Sequence, residues 1–216
     1  MKQLRRYSML IILMASGMVA QFSVSAQTIK DVFSNSETKI FFYGIDFTKT
    51  KLIDDITANE SDIVQRQYAG INQLAINEPD KFDLKAAFGR TIEHDITTAV
   101  KRNEKVNPDA VKSSTSADFN RFKESDVADI VKTFDADPKN GVGLLFIVES
   151  MSKSAKAANI WVTLFDAKTK KVLMTEKMEG KAAGFGFRNY WAGSIKDVIL
   201  DIKKKKYKEW KSKYGG

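Results

Sequence analysis

Three apolar, β-rich runs in succession constrain the fold of this chain more than any other feature. They are Val142 to Val148 (VGLLFIV), Asn159 to Asp166 (NIWVTLFD) and Lys171 to Met178 (KVLMTEKM). Runs of this length, rich in β-branched and aromatic residues and bounded by turn residues, make strands. The polar turn Ala167 to Lys170 joins the second to the third, so an antiparallel meander is expected. The glycine-rich link GKAAGFG (Gly180 to Gly186) then leads into Tyr190 to Ile202, where Trp191, Ile195, Val198, Ile199 and Ile202 fall on one helical face. Asn189 is the expected cap of that helix, with Ser194 as a second start.

Upstream, Lys39 to Phe47 (KIFFYGIDF) reads as another strand, and Gly44 inside it marks a bulge or a close backbone approach. Gln27 to Glu37 reads as an unstructured lead-in, and Thr48 to Ala58 as a loop with an apolar patch at Leu52, Ile53 and Ile56. Ser61 caps a helix striped by Val64, Tyr68, Ile71 and Ala75 and ended by Pro79. Arg90 to Val100 fits two templates. Ile92, Ile96 and Val100 suit a helix, while Ile92, His94, Ile96 and Thr98 alternate as in a strand; Thr91, Thr97 and Thr98 favour the strand. Lys101 to Asp118 is polar, with Asn107-Pro108 and a Ser/Thr run, and reads as a surface loop. Ser125 caps a helix carrying Val127, Ile130, Val131 and Phe134, stopped by Asp137-Pro138 and Asn140-Gly141. The order β-α-β-α-β-β-β-α describes one α/β (α+β) domain. Its expected sheet is single and mixed, of about five strands, with helices on one or both faces, a terminal meander and a long final helix.

The first residues follow a different logic. Lys2, Arg5 and Arg6 precede a 12-residue apolar run, Met9 to Ala20, interrupted by Ser16 and Gly17. Val24-Ser25-Ala26 then places small residues where a signal peptidase reads, so residues 1–26 are expected to be a cleaved export signal. A membrane anchor would need roughly 20 apolar residues. Residues 27–216 fit one domain, with 32 Lys and Arg against 27 Asp and Glu, a net charge of +5. There is no cysteine, which rules out disulfides, thiolate metal sites, a cysteine nucleophile and lipoprotein-type acylation. The expected location is the periplasm or the exterior, not a lipid anchor.

Five groups of residues bear on function. His94, the single histidine, sits in Glu93-His94-Asp95; neighbours on a strand point to opposite faces, so the tripeptide does not close on one ion. Asp54-Asp55 lies in a loop, and Asp126 and Asp129 lie on the polar side of a helix, where solvation is the ordinary role. Gly180, Gly184 and Gly186 stand between strand and helix, but the dinucleotide and P-loop fingerprints are incomplete. Phe185, Phe187, Arg188, Tyr190 and Trp191 form an aromatic and cationic cluster of the kind that anchors partners when exposed. Seven lysines from Lys203 to Lys213, interleaved with Tyr207, Trp210 and Tyr214, suit either an anionic surface or a solvated helix end with a continued packing stripe from Leu200.

The segments GVGLLFIVES (from Gly141) and NIWVTLFDAKTKKVLMTEKMEGKAAGFGFRNYWAGSI (from Asn159) resemble an uncharacterised family of exported proteins of Bacteroidota. That resemblance covers most of the chain after Ala26 and implies no activity. More loosely, the element order is similar to the small α/β domain shared by the N-terminal part of TolB, the curli-secretion protein CsgG and the LpoB-type activators of peptidoglycan synthases. This likeness is topological, transfers no residues, and departs in one respect: CsgG and the LpoB activators are lipoproteins, whereas this chain has no cysteine to acylate. It implies a non-catalytic envelope module that binds another protein. The expected function is therefore exported binding of an envelope protein through Phe185, Arg188, Tyr190 and Trp191, through the tail residues Lys203, Lys206, Tyr207 and Trp210, or both, with no cofactor and no specific nucleic acid. Adhesion of the tail to an anionic membrane or polymer is the alternative, and a hydrolase using carboxylates or His94 is the least favoured.

Overall fold

A computed structural model describes residues 28–135 and 141–216. The expected leader, and the helix stop at Asp137-Pro138 and Asn140, lie outside the described residues. In chain order the elements are α1 (Ile29–Ser34), β1 (Ile40–Asp46), β2 (Lys51–Ile53), α2 (Glu60–Asp62, Ile63–Gln67 and Tyr68–Asn77, continuous), α3 (Leu84–Phe88), β3 (Ile92–His94) and α4 (Thr97–Asn103). They continue with β4 (Lys112–Ser113), α5 (Glu124–Lys132), β5 (Val142–Ser152), β6 (Ala157–Asp166), β7 (Val172–Lys181) and α6 (Gly186–Asp201, Ile202–Lys206 and Tyr207–Tyr214, continuous).

The run that dominates the sequence, β5, is the spine of the sheet and is buried at every position. Along one edge its first half pairs parallel with β1 (Ile40↔Val142 to Asp46↔Ile147) and its second half pairs parallel with β2 (Lys51↔Ser150 to Ile53↔Ser152). β3 adds parallel to β1, and β4 parallel to β2. On the other edge β6 and then β7 pair antiparallel. The sheet thus has seven strands, not about five, and most of its pairings are parallel. The difference has a local cause. The chain leaves the β1 row in a turn closed by Thr50 N–H donating to Phe47 O at 3.1 Å, and re-enters the same row as β2. Strands of two or three residues cannot show alternation, so the expected loops at 48–58 and 101–118 concealed β2 and β4.

Gly44 is the bulge. Tyr43 and Gly44 together oppose one residue of β5, and Gly44 has φ +96°. The backbone groups that the bulge frees are taken up by two buried asparagines. Asn72 Oδ1 accepts from Ile45 N at 2.8 Å, and Asn103 Oδ1 accepts from Phe47 N at 2.8 Å. Both side-chain amides donate back to Ile45 O, at 3.0 and 2.9 Å. The Ile45 amide and carbonyl and the Phe47 amide are therefore paired although β1 is buried at every position.

The two sheet faces carry separate cores. On one, Phe42, Phe146, Ile160 and Val162 pack under α1, α2, α3 and α6. On the other, Tyr43, Leu145, Phe165 and Trp161 pack under α5 through Val127, Ile130, Val131 and Phe134. The tail beyond Ile202 continues α6 as helix, through a π turn at Ile202–Lys206. In a straight α-helix, eight residues at about 100° each leave Trp210 roughly 80° away from Ile202. A π turn absorbs one extra residue and brings the two to within about 20°. The buried stripe consequently continues from Ile202 to Trp210, not from half-buried Leu200.

Other expectations are corrected. The lead-in is helical: Thr28 and Asp31 form a capping box that starts α1, and Val32 and Phe33 are buried. Arg90 to Val100 is strand only to His94. The Asp95 carboxylate then accepts from Thr97 N at 3.1 Å, and Ile96 and Ala99 bury as α4. Burial overrides threonine propensity there. Helix starts also shift: Asn59 caps α2, Lys123 precedes α5 with its backbone N–H donating to the Asp126 carboxylate at 2.7 Å, and Phe185 precedes α6 without a side-chain cap. Among the described residues no helix is long and apolar enough to cross a membrane.

Candidate functional site

Strand register brings three distant segments to one corner. Ile53↔Ser152 is the last β2–β5 rung, so residues 54–58 and 153–156 leave the sheet side by side. Ala157↔Lys181 sets the end of β7 beside them, and Ala182 N donates to Lys156 O at 2.9 Å. The chain reverses through Gly184 (φ +131°) and Gly186 (φ +74°) into α6, with Ala183 N donating to Tyr190 O at 3.1 Å. Gly180 has a packing role: a Cβ there would stand 2.1 Å from the backbone oxygen of Ser194, so β7 and α6 approach backbone to backbone.

Between these segments lies a groove of about 440 Å³, lined by Asp55, Thr57, Ala58, Lys153, Tyr190, Trp191 and the Gly184-to-Phe187 turn. Trp191 contributes to its floor and is 1 % exposed, held edge-on by Tyr190 at 5.0 Å and Phe187 at 6.3 Å. Lys153 Nζ sits 4.3 Å from the Tyr190 ring centroid, a cation–π contact that fixes the wall. At the rim Phe185 is 94 % exposed; Ile56, 88 % exposed, instead lines a neighbouring smaller pocket with Leu52, Asp54 and Lys112. These are the two exposed large apolar side chains among the described residues. Neither helical periodicity nor composition marks Thr57, Ala58 or Lys153 as site residues.

The structure divides the expected contact residues. Phe185 is presented to solvent, Tyr190 is half-buried, and Trp191 is core. Arg188 is exposed on the flank: its stem lies on Gly70 of α2, where a Cβ would stand 2.8 Å from Arg188 Cδ. It has no ion-pair partner among the described residues. In the tail, Trp210 is 2 % exposed and its Nε1 donates to Glu176 Oε2. Lys206 bridges Glu176 at 2.7 Å and Glu209 at 3.2 Å, and Lys203 bridges Asp83 at 3.2 Å. Tyr207 is half-buried against Phe33 at 5.7 Å and Phe88 at 6.1 Å. Burial opposes the Glu176 charge, but hydrogen bonds from Lys206 and Trp210 outweigh it and hold its carboxyl below the ordinary value. The Glu176 hydrogen bond correspondingly raises Lys206.

Of the remaining candidates only Asp55 lines this groove. His94 is exposed on β3. Asp54 is held at φ +60° with its carboxylate accepting from Ser154 Oγ, and Asp55 accepts from Thr57 Oγ1 at 3.2 Å. Asp126 and Asp129 are exposed one helical turn apart on α5, so they share one wall of a separate cleft and do not face each other across it. Among the described residues no three His, Asp or Glu side chains gather around a metal position.

Fold and groove together define a mixed-sheet α/β domain with an aromatic-rimmed cleft at the root of its terminal helix. No protein-family model, curated protein or solved structure matches the chain.

Proposed function

We propose that this domain is a non-catalytic binding module, exported to the periplasm or cell surface, which captures a partner protein of the envelope at the groove beneath Phe185. The observation that carries the reading is Phe185, 94 % exposed, on the rim of a groove with an aromatic floor. Burying such a side chain against a partner contributes about 1.5–3 kcal/mol, and apolar groups rimmed by polar ones mark interaction sites. The occupant that fits is a partner segment with an apolar side chain for the groove and an acidic residue for Arg188.

Substituting Phe185→Ser and Arg188→Ala together is expected to leave folding stability within about 0.5 kcal/mol, because exposed side chains hold little of it. The same pair is expected to remove the partner from quantitative affinity capture of envelope extract. Two identical lists of captured proteins, from a folded double variant and the wild type, would sink the proposal.

The solvent-facing lysines Lys204, Lys205, Lys208 and Lys211 support adhesion to an anionic surface as a second reading. A lysine near such a surface is worth about 1 kcal/mol. Changing all four to Gln is therefore expected to abolish sedimentation with phosphatidylglycerol vesicles at low salt, with the domain still folded. Sedimentation that is unchanged, or absent in the wild type, removes this second reading.

A further inference from the structure

A second cleft, about 740 Å³, lies at the far side of the sheet from the aromatic groove's helices, against α5. It opens beyond the carboxyl end of β1, where Thr48 and Lys49 leave the sheet, and its other walls come from the end of α4, the Arg121-Phe122 corner and α5. Open α/β sheets present their ligand crevices at such strand ends. Its volume is that of a small-molecule site.

The lining is unusually cationic for a mildly basic domain. Arg102 is fixed in place: its Nε donates to buried Asp46 at 3.1 Å, its Nη1 donates to Thr133 O at 2.6 Å, and its guanidinium lies 5.3 Å from the Phe134 ring centroid. Its charge is matched by Asp46. Arg121, Lys49 and Lys105 are different, since none has an ion-pair partner among the described residues. Arg121 is nonetheless positioned. Its Nη2 donates to Lys49 O, its guanidinium stacks 4.5 Å from the Phe122 ring centroid, and its Nε is buried with no hydrogen-bond partner. The corner that carries it is tied to the spine of the sheet, because Phe122 N donates at 2.7 Å to Glu149, a fully buried carboxylate at the bulge of β5 that also accepts from Trp161 Nε1 at 2.9 Å. Asp126 and Asp129 also line the cleft, but Asp126 is committed to the cap of α5, accepting from Lys123 N at 2.7 Å. Phe122, Val106 and Ile130 supply an apolar wall.

We infer that this cleft binds a small molecule bearing an oxyanion, with Arg121, Lys49 and Lys105 holding the anionic group and Phe122, Val106 and Ile130 receiving an apolar body. A guanidinium held in place before the ligand arrives loses little freedom on binding, and its planar fork matches carboxylate or phosphate. This site is separate from the groove proposed for the partner protein and stands or falls independently of it.

Titration calorimetry on the full chain decides it, using benzoate, phenyl phosphate, inorganic phosphate and benzyl alcohol as probes. At least one aromatic anion is expected to bind with a Kd below about 1 mM, and inorganic phosphate and benzyl alcohol each about ten-fold or more weaker. The benzoate-to-phenyl phosphate ratio tells carboxylate from phosphate. Arg121→Gln is expected to weaken the aromatic anion about ten-fold or more. Because Arg121 also braces Lys49, the exposed pair Lys49→Gln/Lys105→Gln provides a second variant that keeps the fold and is expected to weaken it likewise, while Lys204→Gln on α6 changes nothing. The inference is overturned if neither aromatic anion binds, if benzyl alcohol or inorganic phosphate binds as tightly, or if both cleft variants, folded by circular dichroism, keep wild-type affinity.

Discussion

Replacing Trp210 with alanine is expected to lower folding stability by about 3–5 kcal/mol, among the largest effects of any single change in the tail. The expectation runs against the simplest reading of a lysine-rich terminus, which is that it is solvated and dispensable. Trp210 is buried between Phe33 at 6.5 Å and Phe88 at 6.4 Å, and it joins α1, α3 and β7 to the end of α6. Its loss leaves a cavity and also strips Glu176 of the Nε1–H donor. Urea unfolding followed by circular dichroism measures the sum. Trp210→Phe removes the donor but leaves a smaller cavity than alanine does, so it is expected to cost less, about 1.5–3 kcal/mol. The pH dependence separates the parts. The Glu176 carboxyl is held below its ordinary value of 4.5 in the folded state, so its contribution is complete above about that pH and is lost as pH falls through the lowered value. The gap between wild type and Trp210→Phe is accordingly expected to narrow on acidification, while the cavity cost of Trp210→Ala persists. A Trp210→Ala variant within about 1 kcal/mol of wild type would show that the end of α6 is not part of the core. It follows that deleting residues 203–216 is no test of surface adhesion, since it removes a core residue along with the lysines.

How far the sequence speaks for this fold depends on the length over which a pattern can repeat. β5, β6 and β7 span ten or more residues each, and the α5 stripe closes two helical turns, so both were legible. Gly44 was legible because a glycine inside an aromatic strand forfeits side-chain packing, a loss that a bulge or a close backbone approach makes necessary. β2 and β4, with three and two residues, are below the length at which alternation exists. α1 and α3 are shorter than a buried stripe needs and are announced only by their caps, Thr28 and Asp83. The π turn of α6 is invisible for another reason: it changes which residues share a face without changing what they are. The groove was half legible. The cluster of residue types from Phe185 to Trp191 stands out, yet which of them faces water is decided by the reversal at Gly184 and Gly186. Thr57 and Lys153, 96 positions apart, become neighbours in the groove through the β2–β5 register. The cationic cleft was not legible at all, because its arginines come from α4 and from a corner held by Glu149, each unremarkable where it stands in the chain.

The bulge of β1 allows a sharper test, because two residues there are expected to be strongly non-additive. Gly44→Ala places a Cβ at φ +96°, 2.5 Å from Asn72 Oδ1 and 3.2 Å from Ala99 Cβ and Ile96 Cγ2. The left-handed backbone alone costs about 1–2 kcal/mol for a residue with a Cβ, and the contact with a buried amide adds to it, so a loss of about 3–5 kcal/mol is expected. Asn72→Ala removes the acceptor of Ile45 N, leaves that buried donor unpaired, and is expected to cost about 2–4 kcal/mol. The damage is partial because Ile45 O keeps its bond from Asn103 Nδ2 at 2.9 Å. In the double variant the atom that the new Cβ meets is gone. Gly44→Ala then costs only its backbone strain and the two looser contacts, so the double variant is expected to be at least about 1 kcal/mol more stable than the sum of the singles predicts. Additivity within about 0.5 kcal/mol would mean that the strand relaxes away from Asn72 and that the asparagine does not define the bulge. The register beyond Gly44 also seats Asp46 against Arg102, at the rim of the cationic cleft. A variant that loosens the bulge while the domain stays folded should therefore weaken aromatic-anion binding without touching a residue of the cleft, which ties the conformation of one glycine to a ligand site at the end of its strand.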